Sequence, residues 1–226
     1  MNATWLRRQF ACLFVMVCAV ATAPGAVSQT PGATTPTTGQ TSASDVHSGI
    51  EGFRSARFGM KEAQVRAAIR TDFGLADAAV KASQHPVERT RVLEIVARDL
   101  IEGTGDGQIA YVLGQRSKAL IQVNILWNAV GPAGADMVTG LANVLRNYFL
   151  TDDLRFKKET IARNIPTSDG RLVVFRGADD KQRVIELILA VAGPTSSRPA
   201  VRQLRLSYIL SPDKPDAHSG AKGKSR

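Results

Sequence analysis

Thr90 to Trp127 reads TRVLEIVARDLIEGTGDGQIAYVLGQRSKALIQVNILW. It divides into three strands joined by two turns. Arg91 to Leu100 is the first strand, and the glycine-rich stretch Glu102 to Gly107 turns the chain. Gln108 to Leu113 returns, Gly114 to Ser117 turns again, and Lys118 to Trp127 completes the meander. The last strand alternates most clearly. Ile121, Val123, Ile125 and Trp127 fall on one face, and Leu120, Gln122, Asn124 and Leu126 on the other. A period of two with one greasier face implies a sheet buried on one side. Amphipathic segments on either side of the stretch must cover that side.

Upstream, Gly59 punctuates the chain and a helix is expected from Lys61 to Thr71. Met60, Val65, Ile69 and Phe73 lie near one of its faces, with Ala68 beside them. Gly74 stops it. Ala76 to Ala82 adds a short second helix, and Pro86 breaks the chain just before the first strand. Downstream, Asp136 to Leu150 carries Met137, Val138, Leu141, Val144, Leu145, Tyr148 and Phe149, an apolar stripe at helical spacing. This second main helix is the expected cover for the sheet. Four strands follow: Arg155 to Ala162 at an edge, Arg171 to Arg176, Gln182 to Ala192, and Val201 to Leu210. Ser168 to Gly170 and Gly177 to Lys181 are the turns, and Gly193 to Pro199 is a loop. The order helix, three strands, helix, four strands predicts an α+β fold with antiparallel sheet meanders packed by two amphipathic helices, not a parallel βαβ fold. The two halves share an element order without a sequence repeat.

Phe58 to Val65, FGMKEAQV, resembles the G-M-T-x-x-x-V opening of the SmpA/OmlA outer-membrane lipoproteins, which β-lactamase-inhibitor-protein-like periplasmic domains share. The resemblance implies a helical start followed by an antiparallel meander, and a binding role in the cell envelope. Lys61 stands where the family has a Thr or Ser helix cap, and a lysine side chain cannot accept the backbone N–H that such a cap takes. This chain also lacks the family's lipid-bearing cysteine, and its greater length would need a tandem pair of units.

The N-terminus reads as a cleaved signal peptide over residues 1–28. Arg7 and Arg8 precede an apolar run from Phe10 to Ala23 that carries no charge. The run is short for a spanning helix. Cleavage after Ala21 or after Ser28 fits the small-x-small rule. Arg7 to Phe10 partly resembles a twin-arginine signal, although Leu6 and Ala11 depart from it. Val15 to Val17 before Cys18 lacks the small residues that lipid attachment prefers. Residues 29–48, rich in Thr, Ser, Pro and Gly, form a disordered linker. Residues 49–210 form one domain, and Ser211 to Arg226 a disordered basic tail. Both cysteines, Cys12 and Cys18, fall inside the signal, so the mature chain forms no disulfide and offers no thiolate ligand or nucleophile. Loss of Arg7 and Arg8 takes the basic residues from 29 to 27 against 20 acidic ones, a net charge of +7.

Catalytic, cofactor and metal residues are all expected to be absent. His47, His85 and His218 have no partner at metal-ligand spacing. The glycine-rich turn lacks the Lys-Ser/Thr and following helix of a phosphate loop, and a strand follows it. The acid pairs Asp152 with Asp153 and Asp179 with Asp180 read as solvated groups at a helix end and in a turn. Ser117 and Ser207 have no evident base. The expected function is a periplasmic, non-enzymatic binding or envelope-associated domain. Its partner is an envelope protein or an anionic envelope polymer. No aromatic-basic motif points to nucleic acid, and no transmembrane span is expected in the mature chain. The alternatives are a hydrolase whose acidic residues meet only in the folded chain, and a structural protein held to anionic polymer. Exposed aromatics such as Tyr111 or Trp127 on a flat sheet face would mark protein docking.

Overall fold

The computed structural model describes residues 49–151, 155–191 and 201–218. The proposed signal, the linker, Asp152, Asp153, the loop 193–199 and the end of the tail lie outside them. A two-residue-per-strand hairpin, β1 (Gly52–Phe53) and β2 (Ala56–Arg57), leads into α1 (Glu62–Phe73). Lys61 offers no acceptor at the cap, but Gln64 Oε1 accepts the Lys61 N–H at 2.9 Å. That is half of a reciprocal capping box. The Lys61 ammonium instead reaches Ser117 O at 2.6 Å. Gly74 ends the helix in the left-handed region at φ 66°, its N–H bonded to Arg70 O.

Four strands follow: β3 (Lys81–Gln84), β4 (Arg91–Ala97), β5 (Gly107–Leu113) and β6 (Leu120–Asn128). Helix α2 (Gly131–Leu150) then crosses over. The second set is β7 (Ile165–Pro166), β8 (Arg171–Ala178), β9 (Val184–Val191) and β10 (Val201–Ile209). All eight form one antiparallel sheet in the order β3-β4-β5-β6-β10-β9-β8-β7. Each half is a helix followed by four strands, and the halves meet where β6 pairs β10. The fold is α+β with antiparallel sheet, as the alternation and helical stripes imply.

One face of this sheet is core. Leu93, Tyr111, Val123, Ile185, Leu187 and Leu204 are fully buried on it. Helix α2 packs on β8, β9, β10 and β6 through Val138, Leu141, Leu145 and Phe149. Phe53 of the hairpin lies 5.5 Å from the Tyr208 ring, so the hairpin sits on the same face at the β6–β10 junction. Helix α1 packs beside β2 and buries Val65, Ala68 and Ile69.

Four expectations need correction. Residues 155–162 are not an edge strand. Phe156 turns into the core against Phe149 and Phe175, with ring centroids 6.2 and 5.1 Å away. A 3-10 turn, Lys158–Thr160, follows; the Lys157 N–H donates to Ala178 O, and Ala162 forms an isolated bridge to Arg176 of β8. The fit is close at Gly177, where a Cβ would stand 2.7 Å from Phe156 Cδ1, so a side chain there would have to displace the ring. Ala76 to Ala82 is not a helix. It is a single 3-10 turn, Asp77–Ala79, that runs into β3. Asp179 is not a solvated turn acid. It is 2% exposed, and its Oδ2 lies 2.7 Å from the Nε of Arg183, itself 6% exposed. It also accepts the N–H groups of Ile50, Lys181 and Arg183, which pins the start of the domain to the β8–β9 turn.

The tail is the fourth correction, because residues 211–218 fold back on the body. Asp216 accepts the N–H groups of Arg116 and Ser117 at 3.0 and 2.8 Å, and Gln115 donates to its carbonyl. His218 donates its N–H to Glu88 O. The bonds from Ser117 and Arg116 lower the Asp216 pKa from 3.8 to about 2. A depressed carboxylate stabilises the fold above its unfolded pKa and loses that contribution as pH falls through the folded one. Acidification through the window from 3.8 to about 2 is therefore expected to release the tail. Hydrogen exchange should show Arg116 and Ser117 amides losing protection over that window. In Asp216→Asn they should be less protected at neutral pH and change little on acidification. Unchanged protection in the wild type would refute the latch.

Candidate functional site: the open sheet face

The second face of the sheet carries the other residue of each alternating pair. Gln122, Asn124 and Leu126 of β6 are half-buried on it, while Val123, Ile125 and Trp127 are buried behind. The register aligns three rows across the strands. The middle row runs Glu94, Ala110, Asn124, Ser207, Glu186, Arg176. One flanking row includes Val92, Val112, Gln122 and Ile209, and the other Val96, Gln108, Leu126, Arg205 and Ile188. A polar centre is thus bordered by two largely apolar strips.

The polar centre is internally bonded. Gln122 Nε2 and Ser207 Oγ both donate to Asn124 Oδ1, at 2.7 and 2.8 Å. Glu186 lies between two arginines, with Arg176 Nη1 at 2.6 Å and Arg205 Nη2 at 3.6 Å. The carboxylate is the least exposed member of this trio. The Nε of Arg205 is buried without a hydrogen-bond partner. Such a surface holds fixed donors in a set geometry, which suits recognition.

At the β4 side the face deepens into a cleft of about 590 Å³. Val96, Gln108, Ala110 and Leu126 line it, and Leu75 and Ala79 stand at its outer side. Lys81, Glu94, Arg98 and Asp106 also line it.

Tyr111 and Trp127 do not mark this surface. They are 0% and 1% exposed, on the helix-covered face. Their alternation partners lie outward instead. The Tyr111 hydroxyl and the Trp127 Nε1 are buried without a hydrogen-bond partner, and burial raises the phenol's pKa. His85 is exposed in the β3–β4 turn, where its Nδ1 accepts the Glu88 N–H. Ser117 Oγ accepts the Ala119 N–H at 3.2 Å. In the glycine-rich turn, Gly103 donates to Asp99 Oδ1 and Thr104 to Ile101 O. Among the described residues no three of His, Cys, Asp or Glu come together as a metal site, and no helix is long and apolar enough to cross a membrane. Alternation could have located the face, but not the Arg176–Glu186–Arg205 cluster, whose members meet only through the β8–β9–β10 register.

Comparison with family models, with curated proteins and with solved structures finds no match to this chain.

Proposed function

We propose that the protein is an exported, envelope-associated binding module that acts without catalysis and meets its partner through the open sheet face. The observation that carries this reading is the asymmetry of the sheet. Both helices and the β1–β2 hairpin serve one side, and the other keeps a bonded polar row between apolar strips. Surfaces of that mixed polar and apolar character suit protein interfaces. The charged and apolar pattern at the N-terminus supports export. The short motif at Phe58 to Val65 supports kinship with envelope domains of the β-lactamase-inhibitor-protein-like or SmpA/OmlA kind, and the helix-then-meander order adds to it.

Capture from an envelope fraction tests the face. Val112→Arg and Ile209→Arg place a charge on one apolar strip, while Asn143→Arg changes the exposed side of α2. The wild type and Asn143→Arg are expected to retain a common partner that the two face variants lose. Equal retention by all four proteins would overturn the reading, as would equal loss from the three variants with their folds intact.

A further inference from the structure

Strand β3 is too short for its neighbour. It pairs with Arg91 to Glu94 of β4 and ends at the Lys81–Glu94 pair. Strand β4 runs on for Ile95, Val96 and Ala97, which pair with Ile109, Gln108 and Gly107 of β5 on the inner side. On the outer side no described residue pairs with them. The chain that precedes β3 diverges there as the 3-10 turn Asp77–Ala79. The cleft of about 590 Å³ opens between that turn and β4. We propose that this cleft receives an extended peptide segment of a partner protein, which adds a strand to β4 along Ile95 to Ala97.

Three observations select that occupant. A bare strand edge presents backbone donors and acceptors at a spacing that another extended backbone matches. The cleft volume falls within the roughly 300–1,000 Å³ of sites that enclose small ligands, and its walls hold Leu75 and Ala79 across from Val96. Val96 is 53% exposed, among the largest exposures of any big apolar residue described. Alternate side chains of an added strand point to one side, so a β-branched residue at every second position would lie beside Val96. Both signs of charge line the cleft, Lys81 and Arg98 with Glu94 and Asp106. A segment of low net charge suits that lining better than a polyanion. Strand β3 itself is a poorer template, being four exposed residues that begin with a lysine.

This inference rests on the binding reading and names the form of the partner. Its test uses the full chain with fluorescein-labelled pentapeptide amides that carry Val or Ile at alternate positions, each with a backbone N-methylated twin. N-methylation removes the donors of strand pairing and leaves the side chains. Ala79→Trp narrows the cleft from an exposed position, and a thermal melt checks that this variant folds. Fluorescence anisotropy is expected to show binding that weakens about tenfold or more on N-methylation, and likewise in Ala79→Trp. Those amides among Ile95 to Ala97 that point away from β5 should gain hydrogen-exchange protection only in the complex. The proposal is overturned if no peptide of the panel binds below about 1 mM. It also falls if binding ignores both changes. Val112 and Ile209 lie outside the cleft lining, so envelope capture that depends on them would leave the binding reading standing even when strand addition fails.

Discussion

Val123→Asp is expected to unfold the domain, while Gln122→Asp, one residue away, leaves it folded. Val123 is 0% exposed and lies in the central strand pair of the covered face, opposite Tyr208 on β10 and Tyr111 on β5. A carboxylate there is removed from water among buried apolar and aromatic side chains. Burial without compensation costs several kcal/mol, even when the group takes up a proton, against a total stability of about 5–15 kcal/mol. Gln122 is half-buried on the open face and donates to Asn124 Oδ1. Its replacement forfeits that bond at about 1 kcal/mol. Thermal melts at matched neutral pH distinguish the two. Equal damage would mean that both faces of β6 are sealed, and a partner could then not reach the sheet.

The second large effect is expected at Asp179. Asp179→Ala leaves Arg183 buried, with Glu51 as its remaining carboxylate at 2.9 Å. It also strips an acceptor from three backbone N–H groups. Breaking a buried pair from one side costs about 3–5 kcal/mol, whereas replacing both partners by apolar groups is often far milder. Asp179→Ala should therefore lower the urea midpoint strongly, and the double variant Asp179→Ala with Arg183→Leu should recover part of the loss. A single substitution that moves the midpoint no more than a surface change would show that the pair does not fasten Ile50 to the β8–β9 turn. Glu51 is more exposed and rests mainly on its bond to Arg183, which holds its carboxyl below the usual range.

What was legible in the sequence is what leaves a periodic trace. Strands β4 to β6 and helix α2 announce themselves because one face of each is buried, and burial imposes a period on apolar residues. Strand β3, Lys81 to Gln84, is exposed along its whole length and so shows no alternation. It is held by the β4 backbone alone, which leaves no mark on side-chain choice. Residues 155–162 misled because Phe156 gives an apolar position without saying whether it pairs or packs. Asp179 and Asp216 are acids amid turn and tail residues, where solvent is the common environment. Two of their partners, Ile50 for Asp179 and the turn at Arg116 for Asp216, are distant in sequence and come near only in the folded chain. The candidate site was hidden for the same reason, since Glu186, Arg176 and Arg205 sit on three strands.

The seam between β6 and β10 bears on how this chain folds. Its contacts join residues 75 and 83 positions apart, while β4, β5 and β6 follow one another through short turns. Closing a loop of that length costs about 2 kcal/mol more than closing one of ten residues, at about 0.6 kcal/mol per doubling. Local meanders reach native pairings sooner than such distant ones. The strand made last is therefore the one that zips the two halves together. Until it arrives, β6 is an open template of apolar alternation. A β10 from another copy offers the same hydrogen bonds as the chain's own, so crowded, half-folded molecules are exposed to strand exchange at this seam.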